Sequence, residues 1–294
     1  MLNRVTNQTM AAAAQRNLQA GQAKLAALQE KGATLQNITR PSDDPAALAQ
    51  AVGARAQLRA ADQYSNNISD GTGWLNTADS ALGQATNVLN RIRDLTLQAS
   101  NGSLNQPAKD VIAAEIEGLS KDLLASANTK YLGRNVFAGN SDAATAFAGQ
   151  PPVFNGTAGS TVERRVDAGR TVRVDADGDA IFGDGAGSVF ALVSDVVAAI
   201  RAGADPSGPL DAIDDRLKTV ISGRAEVGTR QSLLEQARDA VAAQKVTLES
   251  RRSAIEDADI GQVVLDLKLQ ETNYQVALAV TAKVLQPSLM DFLR

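Results

Sequence analysis

No cysteine and no histidine occur among the 294 residues of this chain. Zinc sites of the Cys/His type, thiol nucleophiles and every Ser–His or Cys–His pair are therefore excluded. The lack of cysteine does not fix a redox compartment, since disulfide-free proteins occur on both sides of the membrane. Aromatic residues make up 3% of the chain against 44% for hydrophobic residues in total. The apolar mass is thus Ala, Leu, Val and Ile, which suits close-packed helices better than a sandwich or an aromatic-lined pocket. Lys and Arg number 29 against 33 Asp and Glu, a net charge of −4, which leaves no electrostatic footprint for nucleic acid. No apolar run approaches the ~20 residues of a membrane-spanning helix, and the start, MLNRVTNQTM, lacks the apolar region of a signal peptide. Export, if it happens, is expected by another route.

Catalytic motifs are equally scarce. No Gly-Lys-Ser/Thr occurs anywhere, so there is no standard P-loop. Gly183-Asp-Gly185-Ala-Gly187-Ser188 has Ser where a dinucleotide fingerprint needs its third glycine. The adjacent Asp214 and Asp215 diverge on a helix and read as a solvated face rather than an acid/base pair. The expectation is a protein that is not an enzyme and uses no cofactor or metal.

Proline and glycine show the organisation. There is no proline from Ala46 to Gln106 or from Leu210 to Gln286, whereas nine of the 23 glycines lie between Gly139 and Gly187 with Pro151 and Pro152. The chain therefore reads as helical at both ends and turn-rich in the middle. Five of the six Phe (Phe137, Phe147, Phe154, Phe182 and Phe190) lie in or beside that middle part, which predicts a small separate core. Inner helices are expected over Ala46 to Leu132 and roughly Val189 to Ser253. Ser69-Asp70-Gly71-Thr72-Gly73 is glycine-rich for mid-helix and leaves continuity there open.

Both terminal segments carry a seven-residue pattern. In Asn3 to Gln36 it runs through Ala11, Leu18, Leu25 and Gly32, and through Ala14, Gly21, Leu28 and Leu35. In Ile260 to Leu293 it runs through Ile260, Leu267, Tyr274 and Thr281, and through Val264, Glu271, Leu278, Leu285 and Phe292. Such stripes are too narrow to bury against a globular core but suit another helix. The candidate assembly seam is thus Leu18, Leu25, Leu28, Leu35, Leu267, Tyr274, Leu278, Leu285 and Phe292. An ordinary amphipathic helix packed on its own domain would give the same period.

Acidic links join these ends to the interior. In Arg40-Pro41-Ser42-Asp43-Asp44-Pro45, Asp44 is placed to cap a helix whose first residue is Pro45, where the missing N–H costs nothing. Asp43 adds favourable charge near the helix start, and the two prolines force the preceding helix to end first. Glu256-Asp257-Ala258-Asp259 is a second acidic step, before Ile260. Both read as spacers that let the terminal helices pack elsewhere.

Several stretches in order, "ITRPSDDPAALAQAV", "QYSNNISDGTGWLNTADSAL", "YLGRNVFAG", "RAEVGTRQSLLE" and "IEDADIGQVVLDLKLQETNYQVALAV", resemble the flagellin superfamily. Pro-Ser-Asp-Asp-Pro and the ending Ser288-Leu289-Met290-Asp291-Phe292-Leu293 resemble its hook–filament junction members in particular. The resemblance implies a mainly α fold: a long antiparallel bundle, paired terminal coiled-coil helices and a small β-rich insert. The divisions it implies are 1–40 with 258–294 for the terminal helices, 41–138 with 189–257 for the bundle, and 139–188 for the insert. It also implies a secreted structural adaptor of the extracellular flagellum, forming a homo-oligomeric ring. Its partners would be hook-associated protein 1, flagellin and a flagellar export chaperone, with no nucleic acid and no membrane. A flagellin-like filament subunit is the alternative. An enzyme or carbohydrate-binding insert would need a polar pocket between Phe147 and Phe190.

In the middle segment, Asp175, Asp177 and Asp179 have calcium-like spacing, but Ala180 and Ala186 stand where a calcium loop needs Gly and Glu. The expectation is strand Val172 to Asp175, a hairpin turn at Asp177-Gly178 and a returning strand Ala180 to Phe182. Thr161 to Val166 is expected as another strand, next to a turn at Ala168-Gly169.

Overall fold

The computed structural model describes residues 2–285, with side chains described over 9–283. The chain is mainly helical, with a small insert of short antiparallel strands. The helices are α1 Leu2–Thr34, α2 Pro45–Ala99, α3 Gln106–Ala127, α4 Gly178–Phe182, α5 Val189–Arg201, α6 Leu210–Glu256 and α7 Ile260–Leu285. Between α3 and α4 lie three two-stranded hairpins: β1 Lys130–Tyr131 with β2 Arg134–Asn135, β3 Phe147–Gly149 with β4 Pro152–Phe154, and β5 Glu163–Asp167 with β6 Arg170–Arg173. The chain divides into two compact units, 1–59 with 245–294, and 60–244.

Unit 60–244 is built on heptads that tertiary packing makes visible. In α2, Ala61, Ile68, Leu75, Leu82 and Leu89 are all buried, and in α6 so are Ile213, Val220, Val227, Leu234 and Val241. Each series steps by seven, the spacing that keeps one face against a neighbouring helix. Arg93 pairs with Asp214, Arg224 Nε donates to Asp79 at 2.7 Å and Gln231 Nε2 to Asn76 Oδ1 at 2.9 Å. Numbers rise along one helix as they fall along the other, so α2 and α6 are antiparallel. Asp215 instead pairs along its own helix with Lys218, so the two adjacent carboxylates diverge.

The inner helices are not two long rods. The first breaks at 100–105, where Asn105 caps α3 by accepting from Ala108 N at 3.0 Å. The second breaks between Arg201 and Leu210, where Gly203 has φ +72°. These breaks let α3 fold back beside α2, joined by Arg91–Glu115, and pack on α5. Ile92, Leu95, Ile112, Ile116, Val193 and Ile200 form the resulting apolar layer.

Helix α2 runs unbroken through Gly71 and Gly73. A Cβ on Gly73 would stand 2.4 Å from the Tyr131 hydroxyl, and one on Gly71 2.9 Å from Val174 Cγ1. The glycines here make room for the insert against the helix rather than break it. This corrects the expectation of a separate insert core. Phe137, Phe147, Phe182 and Phe190 share one buried cluster with Trp74, Leu75 and Leu82 of α2 and Val220 and Leu234 of α6. A four-ring cluster is too small to stand alone, and the helices supply the rest of its apolar wall.

The hairpin at Ala168-Gly169 joins β5 to β6. The segment after it differs from the expectation: Asp177 Oδ1 accepts from Ala180 N at 3.2 Å and caps α4, so Ala180 to Phe182 is helical, not a returning strand. A local cap competes successfully with a strand that has no partner waiting. Asp175 is buried; its carboxylate accepts from Val162 N at 2.7 Å and from Arg173 Nε at 3.0 Å. Gly178 N donates to Phe137 O at 3.1 Å, and a Cβ there would stand 2.4 Å from that same oxygen. Gly178→Ala is expected to destabilise the unit by about 1–3 kcal/mol, the range for overpacking against rigid neighbours. Denaturant unfolding of the two proteins side by side measures it, and equal midpoints would refute the contact.

Candidate assembly site

The terminal helices α1 and α7 pair with each other, antiparallel. Tyr274 lies over Gly21 and Val263 beside Gly32, while Gln270 Nε2 donates to Gly21 O at 3.2 Å. On α1 the half-buried stripe is Ala11, Ala14, Leu18, Gly21, Leu25 and Leu28. The α1 heptad ends there. Leu35 lies past the end of α1 in a left-handed conformation, φ +57°, and is exposed, so it is not part of a helical stripe. Its N–H closes the last turn by donating to Lys31 O at 2.9 Å.

On α7 the stripe facing α1 is Val263, Leu267, Gln270, Tyr274, Ala277 and Thr281. Leu267 and Tyr274 are in it. The second expected series is shifted by one residue: 263, 270 and 277 face α1, whereas Val264 and Leu278 are exposed. A single-residue shift is a turn of roughly 100°. Leu278 therefore lies on a flank that α1 does not cover. The side chain of Leu285 and the whole of Phe292 fall outside the described residues.

A second apolar stripe, which a single heptad series does not reveal, occupies the far side of α7. Leu265 and Leu269 are 67% and 66% exposed, and Val276 and Val280 are also exposed. Their spacings of 4, 7 and 4 residues put them on one helical face. At roughly 100° per residue that face points away from the α1 side. The signal was in the sequence as a helical period; a search for one partner stripe per helix passes over it. A surface of this kind costs solubility and is a candidate contact surface.

The connectors to these helices are held together at one joint. Asp44 Oδ1 accepts from Ala47 N at 2.8 Å, capping α2 at Pro45. Asp43 Oδ2 accepts from Arg40 N at 2.9 Å and from Thr39 Oγ1 at 3.2 Å. The Arg40 amide, above all, holds the Asp43 carboxyl below the usual carboxylate range. Arg40 itself reaches Glu30 at 3.4 Å, and Pro41 is exposed. Across the joint, Asp257 accepts from Ser253 Oγ at 2.6 Å, and Asp259 caps α7 by accepting from Gly261 N at 2.8 Å. The two connectors bond to each other: Asn37 N donates to Glu256 O at 2.7 Å and Ala258 N to Leu35 O at 2.9 Å. They are thus one short antiparallel joint, not two separate spacers.

Among the described residues no group of three or more potential metal ligands occurs, and no helix is long and apolar enough to cross a membrane. A hollow of about 270 Å³ lies between α3, α5 and the β3–β4 turn, with Leu124, Val193 and Val197 beside Glu117, Lys121 and Ser194. It contains no nucleophile paired with a base.

Two terminal helices from opposite ends of a chain, paired and still carrying an uncovered apolar face, define a class: helical structural proteins that build larger assemblies through their termini. The bacterial flagellin N-terminal helical region matches residues 5–142 and the flagellin C-terminal helical region residues 210–293. The chain belongs to the bacterial flagellin family. It is 27% identical to flagellar hook-associated protein 3 of Escherichia coli, over 84% of this chain and 86% of that protein. It is 28% identical to flagellin of Bacillus subtilis, over 85% of each. In fold it resembles Bacillus cereus FlgL, with a TM-score of 0.60 over 68% of this chain and 99% of that one, at 22% identity. The flagellar junction protein FlgL of Legionella pneumophila gives 0.59 over 71% and 100%, at 17% identity.

Proposed function

We propose that this chain is a structural adaptor of the bacterial flagellum that joins the hook region to the flagellin filament. The observation that carries this reading is the uncovered stripe Leu265, Leu269, Val276 and Val280 on a helix whose other face is already paired. In this reading 1–40 with 258–294 form the assembly arm, 41–138 with 189–257 the bundle, and 139–188 an outer insert. The seam includes Leu18, Leu25, Leu28, Leu267 and Tyr274 inside each arm and Leu278 on its flank. Copies form a ring outside the cell, seated on hook-associated protein 1 and followed by flagellin, after delivery by a flagellar export chaperone. The role is mechanical, without catalysis. A filament-subunit role is the second reading, favoured by the similarity to flagellin over most of the chain.

Deletion of the gene separates the two. For an adaptor, cells should make flagellin, release it into the medium and carry hooks without filaments, and the wild-type chain should restore attachment. Localised by a fluorescent label, the protein should mark one spot per flagellum. Label along the whole shaft, or long filaments formed by the purified protein alone, would establish the filament subunit instead.

A further inference from the structure

We infer that Glu256 is the positioning residue that sets the angle of the terminal helix pair. Its side chain is 9% exposed and held from two sides. Arg55 on α2 brings Nε within 2.7 Å of Oε1 and donates from Nη2 to Oε2 at 2.8 Å. Arg252, one turn earlier on α6, donates from Nη1 to Oε2 at 2.9 Å. Arg252 is in turn held by Glu249 at 2.7 Å and stands 3.7 Å from Asp257. Burial on its own would raise the Glu256 carboxyl, but the hydrogen bonds from Arg55 and Arg252 outweigh it, so the group stays ionised.

What distinguishes Glu256 from the other ion pairs of the molecule is its backbone. It is the last residue of α6, and its carbonyl accepts from Asn37 in the α1–α2 connector. One residue therefore fastens α2 by its side chain and the connector from α1 by its main chain, while its own chain continues into α7. Bidentate arginine–carboxylate contacts fix direction as well as distance. An exposed Asp–Lys pair on one helix, such as Asp215–Lys218, fixes neither. Removing the carboxylate unties the end of α6 from α2; the two backbone bonds between the connectors, which that tie steadies, should open more often and the helix pair should swing.

The absence of native cysteine permits a clean test. Gln36 and Asp257 face each other across the joint as an antiparallel pair, close enough in such a pairing for a disulfide. In the purified full chain, Gln36→Cys with Asp257→Cys should close rapidly under mild oxidation. Adding Glu256→Gln should slow closure about tenfold, as expected for loss of a hydrogen-bonded charge. Arg55→Met should slow it equally, and the two together no more than either, because both remove the same tie. Unchanged closure in Glu256→Gln, or slowing that multiplies in the double variant, overturns the inference. The assembly consequence rests on the adaptor reading. There, Glu256→Gln should release flagellin, and oxidising the joint in the chain that also carries Gln36→Cys and Asp257→Cys should restore its retention. Loss that oxidation does not rescue refutes positioning. A wild-type chain that fails to retain flagellin refutes the adaptor reading and leaves the closure measurement standing.

Discussion

Leu269→Asp should abolish assembly while leaving the 60–244 unit as stable as before. Leu269 is 66% exposed in the single chain and lies on the face of α7 turned away from α1. A substitution at such a position has little effect on a monomer, typically within about ±0.5 kcal/mol. If a neighbouring copy covers the stripe, the same change removes about 1.5–3 kcal/mol of leucine burial and puts an unpaired carboxylate into a dry contact. In a ring that loss recurs at every subunit. The measurement pairs thermal unfolding of the purified variant with flagellin retention by cells that carry it. A folded variant that retains flagellin normally would show that the stripe is not an assembly surface. Leu278→Asp, on the flank, should act in the same direction with a smaller effect.

Phe147→Ala should destabilise the 60–244 unit by about 3–5 kcal/mol, the usual cost of truncating a buried phenylalanine. Its ring is fully buried, with centroids 5.3 Å from Phe154, 5.7 Å from Phe182 and 5.2 Å from Phe190. For a unit of this size that corresponds to a fall in melting temperature of roughly 10 °C. Far-UV circular dichroism should show the long helices melting early along with the insert, because both contribute to the same cluster. A variant whose helical signal melts at the wild-type temperature would mean that the insert is an independent core after all.

The merged core also shows where reading the sequence stops. Clustered Phe and Gly between 137 and 190 signalled irregular structure and a concentration of apolar rings correctly. They could not signal that Trp74, Leu82 and Val220, far away in the chain, complete the same cluster. The glycines at 71 and 73 were ambiguous for a similar reason. Glycine weakens a helix on its own terms, and only the proximity of Tyr131 and Val174 shows why it is tolerated there. The heptads of α2 and α6 were present in the letters, but long polar side chains such as Arg224 and Gln231 stand between the large apolar residues of α6 and mute the pattern.

By itself the sequence determined what is local or categorical. A chain without His or Cys cannot build Cys/His zinc sites, thiol nucleophiles or Ser–His pairs, whatever its fold. Asp44 followed by Pro45 caps a helix in almost any context, because both effects act within one turn. The heptad in α1 is legible because Leu18, Leu25 and Leu28 alternate with small residues. Tertiary structure decided what depends on a partner. Val263, Gln270 and Ala277 face α1 while Val264 and Leu278 are exposed, a rotation of α7 that seats Tyr274 over Gly21. The same rotation leaves Leu265 and Leu269 uncovered. Glu256 reads in sequence as one more acid in an acidic link. It becomes the centre of the joint because Arg55, 201 residues earlier, folds back to meet it, and only a folded chain can bury a carboxylate between two arginines.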